Sequence, residues 1–230
     1  MSRPRPIPAA PPAVEPLARE VGAQLWRHLP GLLGANLLFL AWCTPPALLA
    51  LLGFPRAALA VAPLPVGAGL AGLMAYAAGV ARGEAGRVWR ASLQGTRVGG
   101  AALAGHAGVV VLAGWAHALA LEAVVARDAA WSAILLWAGQ LGVLALLALV
   151  EAHTPSLIGL HGQGPLAAAR NALVLSVCRP GAAVAVLAGA AAGWSLTWAL
   201  GGAPLIILPA VLAVWAVNAT RRAAAIPWRA

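Results

Sequence analysis

His106 and His117 are the residues best placed for chemistry, because both lie in one long apolar run. Eleven residues are about three helical turns, so the two rings would project from one face of a helix, about 16 Å apart. That separation is too large for a shared metal ion. Each imidazole could instead bond a neighbouring helix, or the two could belong to a path for protons or a polar substrate.

Two carboxylates and three amides stand close to apolar runs. Glu122 and Glu151 sit at the ends of two runs, where carboxylates are usually solvated, whereas Asn36 and Gln140 lie inside runs and Asn218 lies near the end of the last one. Hydrogen bonds from such amides to neighbouring helices contribute about 0.6–2 kcal/mol each, and lining a polar cavity is the alternative role. The candidates for a polar or substrate cavity are Asn36, His106, His117, Gln140, Glu122 and Glu151.

The sequence motifs of common enzymes are missing. There is no HExxH, no CxxC, no GxSxG nucleophile elbow and no P-loop, and the two cysteines are Cys43 and Cys178. Glu151-Ala-His153 is similar to the start of the coupling motif of ABC permeases, but the expected glycine does not follow, so we attribute the match to chance. We expect no catalytic residues, no metal and no cofactor. An intramembrane enzyme would need an acid and a base at one depth.

The composition places most of the chain in hydrocarbon. Of its 230 residues, 62% are hydrophobic and 9% are charged, against about 45–50% and about 25% in soluble domains. So few charges cannot cover a surface that faces water, and a disordered chain would be richer in charge. We therefore expect an integral membrane protein that forms one helical bundle.

Six apolar segments are long enough to cross a bilayer as helices. A hydrocarbon core about 30 Å thick takes roughly 20 helical residues, and none of the segments alternates as a barrel strand does. The segments are 29–52, 57–81, 98–121, 129–150, 181–200 and 203–220. The prolines between Pro45 and Pro65 leave open whether residues 29–81 form two full spans or a kinked span with an outer piece.

The basic residues predict the orientation. All 15 are arginines. With six spans, only Arg56 and Arg127 lie on the side opposite the termini. Arginine in short loops favours the cytoplasmic side, so both termini should be cytoplasmic. This distribution explains the net charge of +9 without a nucleic-acid partner.

Three segments on the cytoplasmic side should lie at the membrane surface. We expect residues 1–28 to form a proline-rich tail and surface helix, residues 29–220 the membrane domain and residues 221–230 a short basic tail. The helical part of the first segment, Val14–His28, could equally be a lead-in to the first span. Residues 82–97 and 165–180 have amphipathic patterns. They could dock a cytoplasmic partner or simply anchor the bundle at the headgroups. The docking candidates are Trp89, Arg90, Arg97 and Arg170.

Small residues recur at every fourth position of the fifth segment. They are Gly181, Ala185, Gly189 and Gly193. This spacing predicts a face on which another helix packs closely. Trp194 and Trp198 near the end of the segment are typical of interface anchors, and a platform for sugar stacking is the alternative.

Several short motifs resemble the YesL-like family of bacterial membrane proteins. They are Asn36-Leu-Leu-Phe-Leu, Pro65-Val-Gly, Ala71-Gly-Leu-Met-Ala-Tyr, Arg82-Gly-Glu, Val88-Trp-Arg, Gly95-Thr-Arg, and Ala169-Arg-Asn-Ala-Leu-Val-Leu-Ser followed by Arg179-Pro. The resemblance implies a multi-pass protein of the bacterial cytoplasmic membrane. It also implies an accessory or permease-like role beside carbohydrate ABC transporters, and it supplies no ligand residues.

Two other functions stay open at this point. Six short spans with small-residue stripes fit the size of the substrate-binding membrane subunits of energy-coupling transporters. A closed polar cavity between the helices would favour that hypothesis. The chain could also be a structural membrane protein without a transport role.

Overall fold

The computed structural model describes residues 14–84, 88–126 and 131–225, and all regular structure within these ranges is helical. The α-helices are α1 (Val14–Leu51), α2 (Pro55–Val61), α3 (Pro63–Arg82), α4 (Val88–Ala126), α5 (Trp131–Glu151), α6 (Thr154–His161), α7 (Pro165–Cys178), α8 (Pro180–Ala199) and α9 (Leu208–Ala225). The prediction of an all-α bundle is confirmed. Residues 1–13 and 226–230 of the two expected tails, and Arg127, lie outside the described residues.

Five helical stretches in the described part are long and apolar enough to cross a membrane. They are Leu17–Leu51, Pro63–Arg82, Val88–Val125, Ile134–His161 and Pro180–Ala199. These apolar helices fit a multi-pass integral membrane protein. Each overlaps one of the first five expected segments.

The sixth expected segment, residues 203–220, is divided in two. It begins as a 3-10 helix, Ala203–Ile206, and continues as α9 after a break at Ile207. Pro204 and Pro209 explain the division, because proline lacks the N–H that a continuous helix requires. α9 nevertheless supplies much of the core. Its buried residues include Ala210, Ala213, Val214 and Val217, which share one cluster with Leu32, Leu73 and Val80.

Two of the expected surface helices are continuous with spans. α1 runs unbroken from Val14 and α4 from Val88, so residues 14–28 and 88–97 are the first turns of long helices rather than separate elements. No proline lies between residues 88 and 126, so nothing in that stretch removes a helical donor. The third surface helix, α7, is separate, because Arg179 leaves the helical conformation and Pro180 starts α8.

The chain between α1 and α3 makes a compact turn. α1 continues through Pro45 and Pro46 to Leu51. Gly53 then adopts a positive φ of 87°, which glycine reaches without steric cost. The short helix α2 follows and Pro63 starts α3. Residues 29–81 therefore contain two long helices with a short helix between them.

α3 and α4 pack backbone to backbone. A Cβ atom at Gly67 would overlap the backbone of Ala104, and one at Gly95 would overlap α3 at Ala71 and Ala75. The Thr96 hydroxyl donates to the Ala68 carbonyl at 3.0 Å across the same contact. Small residues allow such an approach in membrane bundles, where close packing replaces the hydrophobic effect as the cause of helix association.

The described ends of the chain meet at one end of the bundle. Arg221 Nη2 donates to Glu20 Oε1 at 2.6 Å, and Arg222 bonds the other carboxylate oxygen. Arg82 at the end of α3 and Arg90 at the start of α4 lie at this end too, because α3 runs antiparallel to α1. We call it the arginine-rich end. The arrangement agrees with two termini on the same side of the membrane.

The α3–α4 contact predicts a sharp difference between two glycines. Gly67→Ala should destabilise the protein by about 1–3 kcal/mol, because two backbones must separate to admit the methyl group. Gly105→Ala on α4 is the matched control, since a Cβ there meets nothing within 4 Å. It should leave stability unchanged or raise it by up to about 1 kcal/mol through helix propensity. Unfolding in mixed detergent micelles measures both, and equal effects would contradict the close packing.

Candidate functional site

An ion pair joins α4, α5 and the start of α7. His106 Nδ1 lies 2.7 Å from Glu151 Oε1, with side-chain exposures of 14% and 19%. His106 Nε2 lies 3.4 Å from the Pro165 carbonyl. A charged group in hydrocarbon is costly unless it is paired, so each residue stabilises the other. The pair can hold a proton between imidazole and carboxylate, and no cluster of three metal-ligating side chains occurs among the described residues.

A second histidine, His153, is buried at the junction of α5 and α6. Its Nδ1 lies 2.8 Å from the Thr220 hydroxyl of α9, and both side chains are fully buried. His153 Nε2 has no partner among the described residues. The sequence predicts no contact between His153 and Thr220. Their contact spans 67 positions, which no local periodicity can reveal.

Asn36 donates hydrogen bonds to two carbonyls of the 3-10 helix that precedes α9. Pro209 has no N–H, so the Leu205 carbonyl four residues earlier cannot accept a regular helical bond. Asn36 Nδ2 donates to the Leu205 carbonyl at 2.8 Å and to the Ile206 carbonyl at 2.7 Å. Asn36 is fully buried. Its amide nitrogen is thus occupied by the contact between α1 and the 3-10 helix.

Ser176 likewise donates a hydrogen bond to a free carbonyl, at the end of α5. The His153 N–H bonds the Val150 carbonyl instead of the Leu149 carbonyl, so the Leu149 carbonyl is left without its regular helical donor. The Ser176 hydroxyl donates to that Leu149 carbonyl at 2.6 Å. This bond fixes the end of α7 to α5, and the sequence gave no signal for it beyond a hydroxyl on an apolar helix.

The remaining cavity candidates lie apart from His106 and Glu151. The His117 and Trp137 rings stack with centroids 6.1 Å apart, between α4 and α5. Gln140 is half-buried on α5 and Glu122 is exposed on α4. Neither makes a side-chain hydrogen bond within the ranges the structure describes. Of the six candidates, only His106 and Glu151 contact each other, and the others lie apart from them along the bundle.

The residues whose spacing predicted α7 form its exposed face, which points away from the bundle. Leu166, Arg170, Leu173 and Val177 recur at helical spacing and are all exposed. The opposite face, with Ala168, Ala172, Leu175 and Ser176, is buried against α5, α6 and α8. Trp89, Arg90 and Arg97 on the first turns of α4 are also exposed. The four docking candidates are therefore all accessible from outside the bundle.

The small-residue stripe of α8 meets α9 over part of its length. A Cβ at Gly189 would touch Trp215, and one at Gly193 would touch Leu208 and Leu212. The Trp215 indole donates to the Ala185 carbonyl at 3.0 Å. Gly181 does not belong to this face, because a Cβ there meets nothing within 4 Å. Trp194 and Trp198 at the far end are exposed.

Comparison of the chain with protein-family models, with curated proteins and with solved structures found no match. Function therefore has to be inferred from the contacts and surfaces of this chain. The exposed face of α7 and its links to α4 and α5 form the arrangement from which we infer it.

The two intramembrane amides should respond differently to removal. Asn36→Leu leaves two carbonyls without a donor and should cost about 1–3 kcal/mol. Gln140→Leu is the matched control, and it should be neutral or stabilising. Unfolding in mixed micelles measures both changes. A loss of stability in Gln140→Leu as large as that in Asn36→Leu would contradict these assignments.

The ion pair should appear as a coupling energy. In a double-mutant cycle, His106→Ala and Glu151→Ala should be non-additive by about 0.5–3 kcal/mol, because the two side chains are in contact. The same cycle with His117→Ala in place of His106→Ala is the control, since His117 lies three turns away on α4. Additive effects of the two substitutions in the first cycle would show that His106 and Glu151 do not interact.

Proposed function

We propose that the chain is a non-enzymatic accessory subunit of a carbohydrate ABC uptake system in the bacterial cytoplasmic membrane. Its apolar helices fit an integral membrane protein. Its short motifs resemble the YesL-like family, whose members often accompany such transporters. The observation that supports the proposal most is the apolar face of α7. This short helix lies between two long apolar helices in the chain, and the bundle does not cover that face.

The uncovered face has the composition of a docking surface. Leu166, Leu173 and Val177 are exposed to 85%, 36% and 69%, and Arg170 lies among them. At 14 residues, α7 is too short to cross a bilayer, and it packs against α5, α6 and α8. An amphipathic helix at this place can receive a cytoplasmic protein, and the ATPase of an ABC importer is the partner we propose.

α7 is connected to the long helices by two specific bonds. The Pro165 carbonyl at its start contacts His106 on α4, and the Ser176 hydroxyl near its end bonds the Leu149 carbonyl on α5. A displacement of α7 therefore acts on both helices of the α4–α5 hairpin. Such a link is what an accessory subunit needs to transmit the state of a cytoplasmic partner into the membrane.

Site-specific crosslinking in the native host tests the docking surface. A photoreactive residue at Val177 should form an adduct with an ATPase subunit of a sugar importer. The same residue at Val184 on α8, which is 60% exposed, is the matched control and should label no protein partner. Deletion of the gene should lower sugar uptake. Equal labelling from both positions, together with unchanged uptake, would refute the proposal.

Arg170 provides a sharper variant of this test. In this proposal the partner faces Arg170 with an acidic group. Arg170→Glu would then place like charges together and should lower the Val177 adduct by about tenfold. The protein should stay as stable as the wild type, since Arg170 is exposed. An undiminished adduct would show that the partner does not sit over Arg170.

A further inference from the structure

The contacts of His106 require one proton more than a neutral imidazole beside an ionised carboxylate can supply. Nδ1 of the ring lies 2.7 Å from Glu151 Oε1, and Nε2 lies 3.4 Å from the Pro165 carbonyl. A carbonyl oxygen only accepts hydrogen bonds, and so does an ionised carboxylate, whereas a neutral imidazole has a single N–H to donate. The additional proton is held either on the ring, as imidazolium, or on the carboxyl group, which then donates to Nδ1.

The balance of charge favours the same state. The side chains of His106 and Glu151 are 14% and 19% exposed and belong to long apolar helices. With the additional proton the pair is neutral overall. Without it, one negative charge stays among apolar helices, where an uncompensated charge is costly.

Other titratable side chains of the neighbouring helices do not reach the pair. On α4, Arg97, His117 and Glu122 are each more than two turns away from His106. The groups on the helices packed around the pair have other contacts or are exposed: Tyr76 of α3 lies against Gly31, Arg82 of α3 bonds Glu84 and the Leu160 carbonyl, His153 contacts Thr220, and His161 of α6, Arg170 and Cys178 of α7 are exposed. Proton binding at this place therefore depends on the pair itself.

The two ends of α7 are held in different ways. No side chain caps its start at Gly164, and the connection from α6 contains Gly162 with a positive φ of 61°. Glycines in a short connection can absorb the change of backbone angles that a hinge requires. Near the other end, the Ser176 hydroxyl bonds the Leu149 carbonyl, and neither group titrates. A change of protonation at His106 therefore acts on the start of α7 alone.

We infer that His106 and Glu151 form a proton-binding site whose occupancy holds the start of α7 against α4. When a base from the solvent removes the proton, the remaining N–H stays with the carboxylate, because charge-assisted hydrogen bonds are about twice as strong as neutral ones. His106 Nε2 then presents a lone pair to the Pro165 carbonyl, and the two acceptors repel each other. The start of α7 moves away from α4, while its far end stays on α5. Low pH holds the helix and high pH releases it.

Spin labels on the full chain in lipid nanodiscs measure this movement. One label replaces Leu166 on α7 and the other Val110, one turn after His106 on α4; both positions are exposed. The dipolar broadening between them should fall about twofold as the pH rises from about 5 to about 9, a range that includes the titration of histidine. Broadening that does not change over this range would overturn the inference.

A second pair of labels is the matched control. Val177 on α7 and Leu146 on α5 are both exposed and lie near the bond that does not titrate. Their broadening should stay constant over the same pH range. A parallel loss in both pairs would show general loosening of α7 and contradict a specific release of its start. In all labelled proteins the native cysteines are replaced, as Cys43→Ser and Cys178→Ser.

Glu151→Gln separates the contact from the proton. The carboxamide can donate to His106 Nδ1, which leaves the Nε2 proton for the Pro165 carbonyl, so the arrangement no longer requires an additional proton. This variant should keep the Leu166–Val110 broadening at every pH, whereas His106→Phe should lack it at every pH. The wild-type pH dependence in Glu151→Gln would overturn the inference, whatever the stability of His106→Phe.

Nuclear magnetic resonance counts the protons on the unlabelled pair. The ¹⁵N shifts of the His106 ring and the ¹³C shift of the Glu151 carboxyl group should together show two protons at low pH and one at high pH. One proton at low pH, with α7 held against α4, would contradict the inference. Neither measurement needs a transporter partner, so both succeed or fail separately from the proposed role in uptake.

Discussion

The whole architecture depends on one constraint: in hydrocarbon each backbone carbonyl and amide must find a partner within the protein. Regular helices provide most of these hydrogen bonds. Where a helix is interrupted, polar side chains provide them instead. Asn36 serves the carbonyls left free before Pro209, and Ser176 serves the Leu149 carbonyl. Arg82 Nη1 does the same for the Leu160 carbonyl near the end of α6, at 3.3 Å. Each interruption of a helix is accompanied by a polar side chain, because a free carbonyl and an unpaired polar side chain would each be costly in hydrocarbon.

This constraint decides what the polar residues can do. Asn218 of α9 donates to Gln24 of α1, and His153 contacts Thr220 of α9, so these groups hold α9 to its neighbours. Groups committed to such bonds are poor candidates for binding a substrate, since a ligand would have to compete with the fold. Function is therefore better sought on surfaces and grooves, where side chains are accessible or unpartnered.

Much of the helical framework followed from hydropathy and length, because a run of apolar residues has one solution in a bilayer. The amphipathic pattern of residues 82–97 predicted a helix, and the structure shows one from Val88 that continues without interruption into the span. A local pattern could not predict that continuity, since it carries no information on where a helix bends. The contact of Asn36 with residues 205 and 206 could not be read from sequence. It depends on a break that two prolines create in another part of the chain.

Positive-inside topology accounts for the number of arginines but not for their surroundings. Arg221 and Arg222 bond Glu20, and Arg82 bonds Glu84 and the end of α6, so these side chains tie helices together. Arg90, Arg97 and Arg170 are exposed and lack such partners within the described ranges. A guanidinium that contributes nothing to the fold is free to meet an outside anion. The same sorting distinguishes Arg82, Arg221 and Arg222, which hold helices together, from Arg170, which lies on the exposed face of α7 where a partner can reach it.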